Sequence, residues 1–293
     1  MPGRCKHFGE CGGCRYQDLE YAEQLVRKEQ ALRALFGPYW PDEINVHPSP
    51  VVWHYRNKVD FTFAPKWYEE PPPPGFVRES VLGFKAKGRW YRPLRIEECL
   101  IGPEGMSALL SAARMWMEEQ GLRAMDTRTM QGFLRALLVR EGRRTGERLV
   151  ALITGDGEFD RDSFVRCVQE AFPSNSIYRG IFRGRADVAA ADEAELLYGG
   201  PTIEERLVVP GLDRELRFRI SPFSFFQTNT LATEVLYGRI REWAKTVRGS
   251  VLYDLYGGAG GIAFTCADLV ERIISVESVA SATEDGLYNA GVN

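Results

Sequence analysis

The sequence predicts a two-part molecule. A hairpin-rich α+β domain carrying a metal cluster precedes the first part of an α/β, Rossmann-like sheet. Three observations carry this expectation. Between Trp53 and Ile220 apolar residues tend to alternate with polar ones and are broken by turn residues, the pattern of strands joined by hairpins. From Val251 the pattern changes to strand, glycine turn, helix, strand and acid: Val251–Leu255, Tyr256-Gly257-Gly258-Ala259-Gly260-Gly261, a helix, Ile273–Val276, then Glu277. That order builds a nucleotide-type ligand site at the carboxyl ends of parallel strands. Finally, 293 residues suit about two domains, and 44% hydrophobic with 26% charged residues is ordinary for a soluble globular chain.

The amino terminus, Met1-Pro2-Gly3-Arg4, has no apolar run behind it, so no signal peptide is read. No apolar stretch is long enough to span a bilayer. The expected compartment is the cytoplasm, and a monomer is expected. Net charge is −3, which excludes a globally basic nucleic-acid binder, although the positive charge is mostly arginine.

Residues 1–17 form a cysteine-rich segment with Cys5, Cys11 and Cys14 spaced C-x5-C-x2-C, and Cys99 lies far downstream. Close cysteines in a cytosolic chain point to metal or redox work more than to disulfides. Glycines between them let backbone N–H groups face the sulfurs. Three close thiols and one distant one suit a 4Fe–4S cluster. Zinc, with His7 as a ligand, and unliganded thiols remain alternatives.

Residues 18–37 read as a helix, with Asp18 as N-cap, a stripe of Leu19, Ala22, Leu25, Val26, Leu32 and Leu35, and Gly37-Pro38 as the stop. Residues 38–220 read as the central α+β domain, which supplies Cys99. Its expected elements begin with a half-buried strand Trp53–Phe63, whose polar face bears His54, Arg56, Lys58 and Asp60. A stiff loop at Pro71–Pro74 and a basic hairpin Val81–Tyr91 follow, the hairpin returning Cys99 to the amino-terminal cysteines. Next come helix Gly105–Gln120, strands Phe133–Arg140 and Arg148–Thr154, helix Phe159–Phe172, strand Ser176–Ile181, and strand-like runs Leu196–Pro201 and Leu207–Ile220. Cys167 and Cys266 read as small apolar residues in helix cores.

Residues 221–293 open with Ser221-Pro222-Phe223-Ser224-Phe225-Phe226-Gln227-Thr228-Asn229, then a helix from about Leu231 to Val247. Gly258-x-Gly260-x-x-Ala263 fits a loose dinucleotide pattern, so an iron–sulfur oxidoreductase using a dinucleotide is one reading. Asp254 inside the preceding strand resembles the S-adenosylmethionine loop of class I methyltransferases instead.

Taken together, Cys5-x5-Cys11-x2-Cys14, Tyr55-Arg56-Asn57-Lys58, Leu82-Gly83-Phe84 leading to Cys99, Leu134-Arg135 through Val139-Arg140-Glu141, Phe223-x-x-Phe226-Gln227-x-Asn229, Asp254-Leu255-Tyr256-x-Gly258-x-Gly260 and Glu277 span nearly the whole chain. This series resembles the iron–sulfur-containing uracil-C5 RNA methyltransferases, which make 5-methyluridine in ribosomal or transfer RNA. The resemblance implies S-adenosyl-L-methionine and a 4Fe–4S cluster as cofactors, and RNA as partner, with ribosomal RNA favoured over transfer RNA. It implies Cys5, Cys11, Cys14 and Cys99 as cluster ligands. It implies Gln227, Tyr256, Gly258, Gly260, Gly261 and Glu277 at S-adenosylmethionine, with Gln227 near the amino acid moiety and Glu277 on the ribose. The chain departs from the family at Gly257 and Gly261, where Cys and Asn are frequent. In the family a cysteine thiolate adds to carbon 6 of uracil and a carboxylate removes the C5 proton. Those residues find no counterpart before Asn293. The expectation is therefore the amino-terminal two-thirds of such an enzyme, inactive by itself, with an exposed sheet face. A catalytically inactive, cluster-bearing RNA-binding module is the alternative.

Overall fold

The computed structural model describes residues 3–73 and 75–293. The alternating strands assemble into one seven-stranded sheet. In chain order they are β1 (Lys58–Pro65), β2 (Ser80–Ala86), β3 (Arg89–Arg95), β4 (Leu134–Glu141), β5 (Arg148–Thr154), β6 (Ser176–Ile181) and β7 (Glu193–Gly199). Their order across the sheet is β3-β2-β1-β4-β5-β6-β7, antiparallel except for the β5–β6 pair.

Because side chains alternate across a strand, the sheet feeds two cores. Leu137, Val139, Val150 and Leu152 face helices α2 (Met106–Glu119) and α3 (Arg161–Ala171), joined by Phe61, Phe63, Trp116 and Phe164. Ala136, Leu138, Leu149, Ala151 and Ile153 face the opposite way. There they meet Phe218, Phe226 and Tyr237, which come from the carboxyl-terminal part of the chain. Burying each such Leu or Phe is worth about 1.5–3 kcal/mol, so this second core fastens the two parts together.

The carboxyl-terminal part contains an antiparallel pair, β8 (Ile203–Leu207) with β9 (Leu216–Ile220), and helix α4 (Thr230–Thr246). A parallel pair follows, β10 (Val251–Leu255) with β11 (Arg272–Val276), then helix α6 (Ala280–Val292). Between β10 and β11 lies only the five-residue helix α5 (Gly261–Thr265) and a 3-10 turn at Ala267–Leu269. Val251, Tyr253 and Leu255 of β10 are exposed, as expected of an open sheet face.

Several expectations need correction. The strand expected over Trp53–Phe63 starts only at Lys58. His54 takes a left-handed φ of 50°, and its Nδ1 meets the Gly102 carbonyl at 2.8 Å, so Trp53–Asn57 is a loop tied to the Cys99 segment. The first helix, α1, is Tyr21–Phe36; its cap position is Glu20, not Asp18, and its apolar stripe is not buried. The run Leu207–Ile220 is not one strand, because a turn at Gly211 (φ 77°) folds it into β8 and β9. The helix expected after the glycine turn shrinks to α5, and Cys266 is its C-cap rather than a mid-helix residue, although it is fully buried. The loop at Pro71–Pro73 does join β1 to β2, while Pro74 lies outside the described residues. Among the described residues no helix is long and apolar enough to cross a membrane.

Candidate functional site

The glycine turn sits where a parallel sheet presents its strand ends. Tyr256, Gly258 and Gly260 have φ of 59°, 54° and 90°. Glycine accepts that region freely, but a tyrosine there is strained and needs a compensating role. Tyr256 is 92% exposed, so packing within the chain does not supply one. Gly258 donates its N–H to Glu277 Oε2 at 2.9 Å, while Ser278 and Val279 donate to Oε1 at 2.7 and 2.8 Å. The N–H groups of Val279 and Gly258 hold the Glu277 carboxyl below its usual range, so it is an anion at neutral pH. Asp254 behaves differently: burial raises its carboxyl, and only the Ala263 N–H, 3.1 Å from Oδ2, opposes that.

Of the six residues expected at the cofactor, Gly258, Gly260 and Glu277 line one cavity of about 540 Å³ with Phe264, Ser275 and Thr283. Gln227, Tyr256 and Gly261 are not in its lining. Phe225 links the two regions, since its ring lies 4.0 Å from where a Cβ on Gly258 would stand. At Gly261 a Cβ would fall 2.3 Å from the Tyr237 hydroxyl, so α4 fills the space that a side chain at 261 would need.

The aromatic-polar run is positioned by residues of the central sheet. Asn57 donates its side-chain amide to the Gln227 carbonyl at 2.8 Å and to Thr230 Oγ1 at 3.0 Å. Buried Arg140 donates to the Pro222 carbonyl at 2.9 Å and to the Ser224 carbonyl. Fully buried Glu205 accepts from the Arg143 and Arg144 N–H groups and from Thr230 Oγ1. Asn229 caps α4, accepting from the Ala232 N–H at 3.1 Å.

Sequence reasoning missed two residues of α6. Asp285 accepts from Arg219 Nε and Ser221 Oγ. Asn289 accepts from the Arg219 N–H at 2.7 Å and donates to the Ala259 carbonyl at 3.2 Å, tying the glycine turn to β9. Both are fully buried. Their signal was visible as a polar pair at i, i+4 in a helix otherwise rich in Ala and Gly.

Cys5, Cys11, Cys14 and Cys99 all line a second cavity of about 580 Å³, with Gly12, Gly13, Gln17, Arg56 and Trp90. The Gly13 N–H approaches Cys11 Sγ at 3.3 Å and Gln17 Nε2 approaches Cys14 Sγ at 3.1 Å. The Ile101 and Gly102 N–H groups face the Cys99 sulfur. Burial pushes the Cys14 thiol up to about 11. Among the described residues no three His, Cys, Asp or Glu side chains converge on a single-ion site. His7 also lines this cavity, its Nε2 accepting the Glu97 N–H at 3.0 Å. Cys167 packs beside the first core.

The chain is similar to RNA methyltransferases of unassigned specificity from Caldanaerobacter subterraneus (33% identity, 99% of this chain, 62% of the relative) and Protochlamydia amoebophila (32%, 99% and 67%). It is also similar to the tRNA (uracil(54)-C(5))-methyltransferase of Pyrococcus furiosus (31%, 99% and 62%). It therefore spans about 62–67% of the length of these relatives. The crystal structure of the Pyrococcus abyssi tRNA (uracil-54, C5)-methyltransferase with S-adenosyl-L-homocysteine superposes with a TM-score of 0.74 at 26% identity, covering 97% of this chain and 64% of that one. No family model matches the chain. The fold is thus that of a class I methyltransferase with a large mixed sheet beside it, and the chain belongs to the RNA methyltransferase family that includes the tRNA uracil-54 C5-methyltransferases of Pyrococcus.

Proposed function

We propose that this chain is the cofactor-binding and scaffold portion of an S-adenosylmethionine-dependent uracil-C5 RNA methyltransferase, acting as a monomer. The observation that carries the proposal is the Gly258–Glu277 contact at the end of parallel strands. The Glu277 anion is placed to accept ribose hydroxyls, and Gly258 and Gly260 let the backbone approach the ligand. Tyr256 is assigned to S-adenosylmethionine and Gln227 to its amino acid moiety. Gly261 contributes only backbone, since Tyr237 occupies its side-chain space. Substrate RNA is assigned as transfer RNA, which the names of the Pyrococcus relatives support over the ribosomal RNA expected from sequence. The domain division at residues 17, 37 and 220 is retained, with the β8–β9 pair sharing a core with the residues that follow it.

The four-cysteine cavity is assigned to a 4Fe–4S cluster held by Cys5, Cys11, Cys14 and Cys99. Four thiols around one cavity, with N–H groups aimed at their sulfurs, support it. Bound there, a cluster would clamp the amino terminus to the Cys99 loop. Anaerobically purified protein is expected to contain iron and acid-labile sulfide, and Cys99→Ser to lose both; zinc alone overturns the assignment.

Four thiols line the cysteine cavity, Cys167 packs in α3, and Cys266 is fully buried at the C-cap of α5, so none stands free at the glycine turn. This chain alone is therefore expected to bind S-adenosylmethionine without turnover, and labelled methyl transfer to uridine by these 293 residues overturns that point. The RNA assignment is tested by filter binding of labelled unmodified tRNA against a ribosomal RNA fragment, with S-adenosylhomocysteine present. Retained tRNA supports it; preferential retention of the ribosomal fragment reverses the choice; no retained RNA removes the RNA reading.

A further inference from the structure

The β2–β3 hairpin borders the cysteine cavity. The Gly12 N–H donates to the Lys85 carbonyl at 3.1 Å, and the Lys87 N–H donates to the Glu10 carbonyl at 2.8 Å. β3 is an edge strand of the seven-stranded sheet. Large apolar side chains at a sheet edge are normally covered, yet Trp90 is 80% and Tyr91 50% exposed. The two rings do not stand alone. Trp90 meets Tyr91 edge-on with centroids 6.0 Å apart, and Tyr91 meets Trp67 at 6.2 Å. The Arg92 guanidinium lies over the Trp67 ring at 5.5 Å. A row of three rings therefore runs from the mouth of the cysteine cavity, which Trp90 and Arg89 line, to the chain just after β1.

The charge around this row is one-sided. From Ser80 to Ile96 there is no acidic residue, but there are Lys85, Lys87, Arg89, Arg92 and Arg95, and of the acids just outside, Glu79 is paired with Lys66 and Glu97 with Lys6. Lys85 pairs with Asp187 at 2.7 Å. The other four are in no ion pair among the described residues, whereas Arg144, Arg148, Arg161, Arg183 and Arg241 all are. Rings and arginine are both common at protein interfaces, but lysine is depleted there, so exposed rings among unpaired lysine and arginine favour a polyanionic partner. They fit a single-stranded nucleic acid, whose bases stack on rings and whose phosphates meet cations.

We propose that the β2–β3 hairpin is a docking platform for single-stranded RNA, with Trp90, Tyr91 and Trp67 stacking bases and Lys87, Arg89 and Arg92 contacting phosphates. The proposal rests on the RNA reading above and names where the strand outside the target uridine lies.

The test is fluorescence anisotropy of the 293-residue chain with a labelled, uridine-containing single-stranded RNA oligomer, across a salt series. A DNA oligomer of matching sequence is run alongside. Trp90→Ala is expected to weaken RNA binding about 5- to 150-fold, the range of one lost base stack, and Trp90→Phe to restore most of it. The double variant Lys87→Ala/Arg89→Ala is expected to reduce the salt slope by about 1.4, roughly 0.7 per lost phosphate contact. Thermal midpoints serve as the fold control. If wild type binds RNA and all three variants bind equally well, the hairpin proposal is overturned while the RNA reading stands. If wild type binds no RNA, both fall. Tighter binding of the DNA oligomer overturns RNA as the occupant. Self-association of wild type that Trp90→Ala abolishes, with RNA binding unchanged, reassigns the rings to a protein contact and also overturns the proposal.

Discussion

Asn57→Ala tests how the central sheet sets the cofactor site from a distance. The Asn57 side-chain amide donates to the Gln227 carbonyl at 2.8 Å and to Thr230 Oγ1 at 3.0 Å, while its backbone N–H donates to the Thr228 carbonyl at 2.9 Å. Removing two net hydrogen bonds costs about 2 kcal/mol. At about 2–4 °C per kcal/mol for a large domain, the thermal midpoint should fall by about 4–8 °C. The Thr230 hydroxyl keeps its bond to Glu205 and the residue 57 N–H keeps its bond to the Thr228 carbonyl, but the Gln227 carbonyl loses its side-chain donor, so Gln227 is held less firmly. If Gln227 contacts the cofactor, one misplaced hydrogen bond weakens S-adenosylhomocysteine binding about tenfold. The assay is isothermal titration of wild type, Asn57→Ala, Gln227→Ala and the double variant. Because Asn57 acts through Gln227, the double variant should bind no more weakly than Gln227→Ala alone. Additive losses, or an Asn57→Ala protein with wild-type affinity, would refute this reasoning.

Two other predictions concern the glycine turn itself. Gly261→Ala places a Cβ 2.3 Å from the Tyr237 hydroxyl, and the buried ring cannot move freely, so a loss of about 1–3 kcal/mol is expected in urea unfolding. Combined with Tyr237→Leu, the loss should be smaller than the sum of the two single losses. The Glu277 carboxyl is held below its usual range by the Val279 and Gly258 N–H groups. A depressed folded pKa means that the anion's contribution is complete above the ordinary carboxylate value of about 4.3 and is lost as pH falls through the lower folded value. The difference in S-adenosylhomocysteine affinity between wild type and Glu277→Gln should therefore be constant from pH 8 to pH 5 and shrink only in acid; a midpoint near neutrality contradicts it.

Much of the fold was legible because local pattern and tertiary structure agree. β5, β6 and β10 fall on their expected residues, since their apolar runs are bounded by turn residues that leave one assignment. The failures share a physical cause, which is that a distant segment decides local conformation. Alternating rings at Trp53–Phe63 satisfied a strand pattern, but hydrogen bonds from His54 and Arg56 to the Leu100 and Ile101 carbonyls hold its first half as a loop. The stripe on α1 predicted a buried face that the chain does not cover. Within the site, the glycine turn and Glu277 were visible because glycine and a strand-terminal acid carry their roles in their chemistry. Asn57, Arg140 and Asn289 were not, because each acts by bonding a carbonyl or N–H that lies far away in sequence. Arg140 also shows why abundant arginine was a poor guide to RNA contact, since it is spent on the Pro222 and Ser224 carbonyls.

The central claim is that Gly258 and Glu277 form a site for S-adenosylmethionine and not for a dinucleotide. Titrating the chain calorimetrically with S-adenosylhomocysteine and, separately, with NADH tests it most directly, with Glu277→Ala as the paired variant. The account predicts one-to-one binding of S-adenosylhomocysteine, an affinity at least about tenfold weaker in Glu277→Ala, and no heat from NADH. NADH binding that S-adenosylhomocysteine displaces, or a Glu277→Ala protein that binds S-adenosylhomocysteine as tightly as wild type, would contradict it.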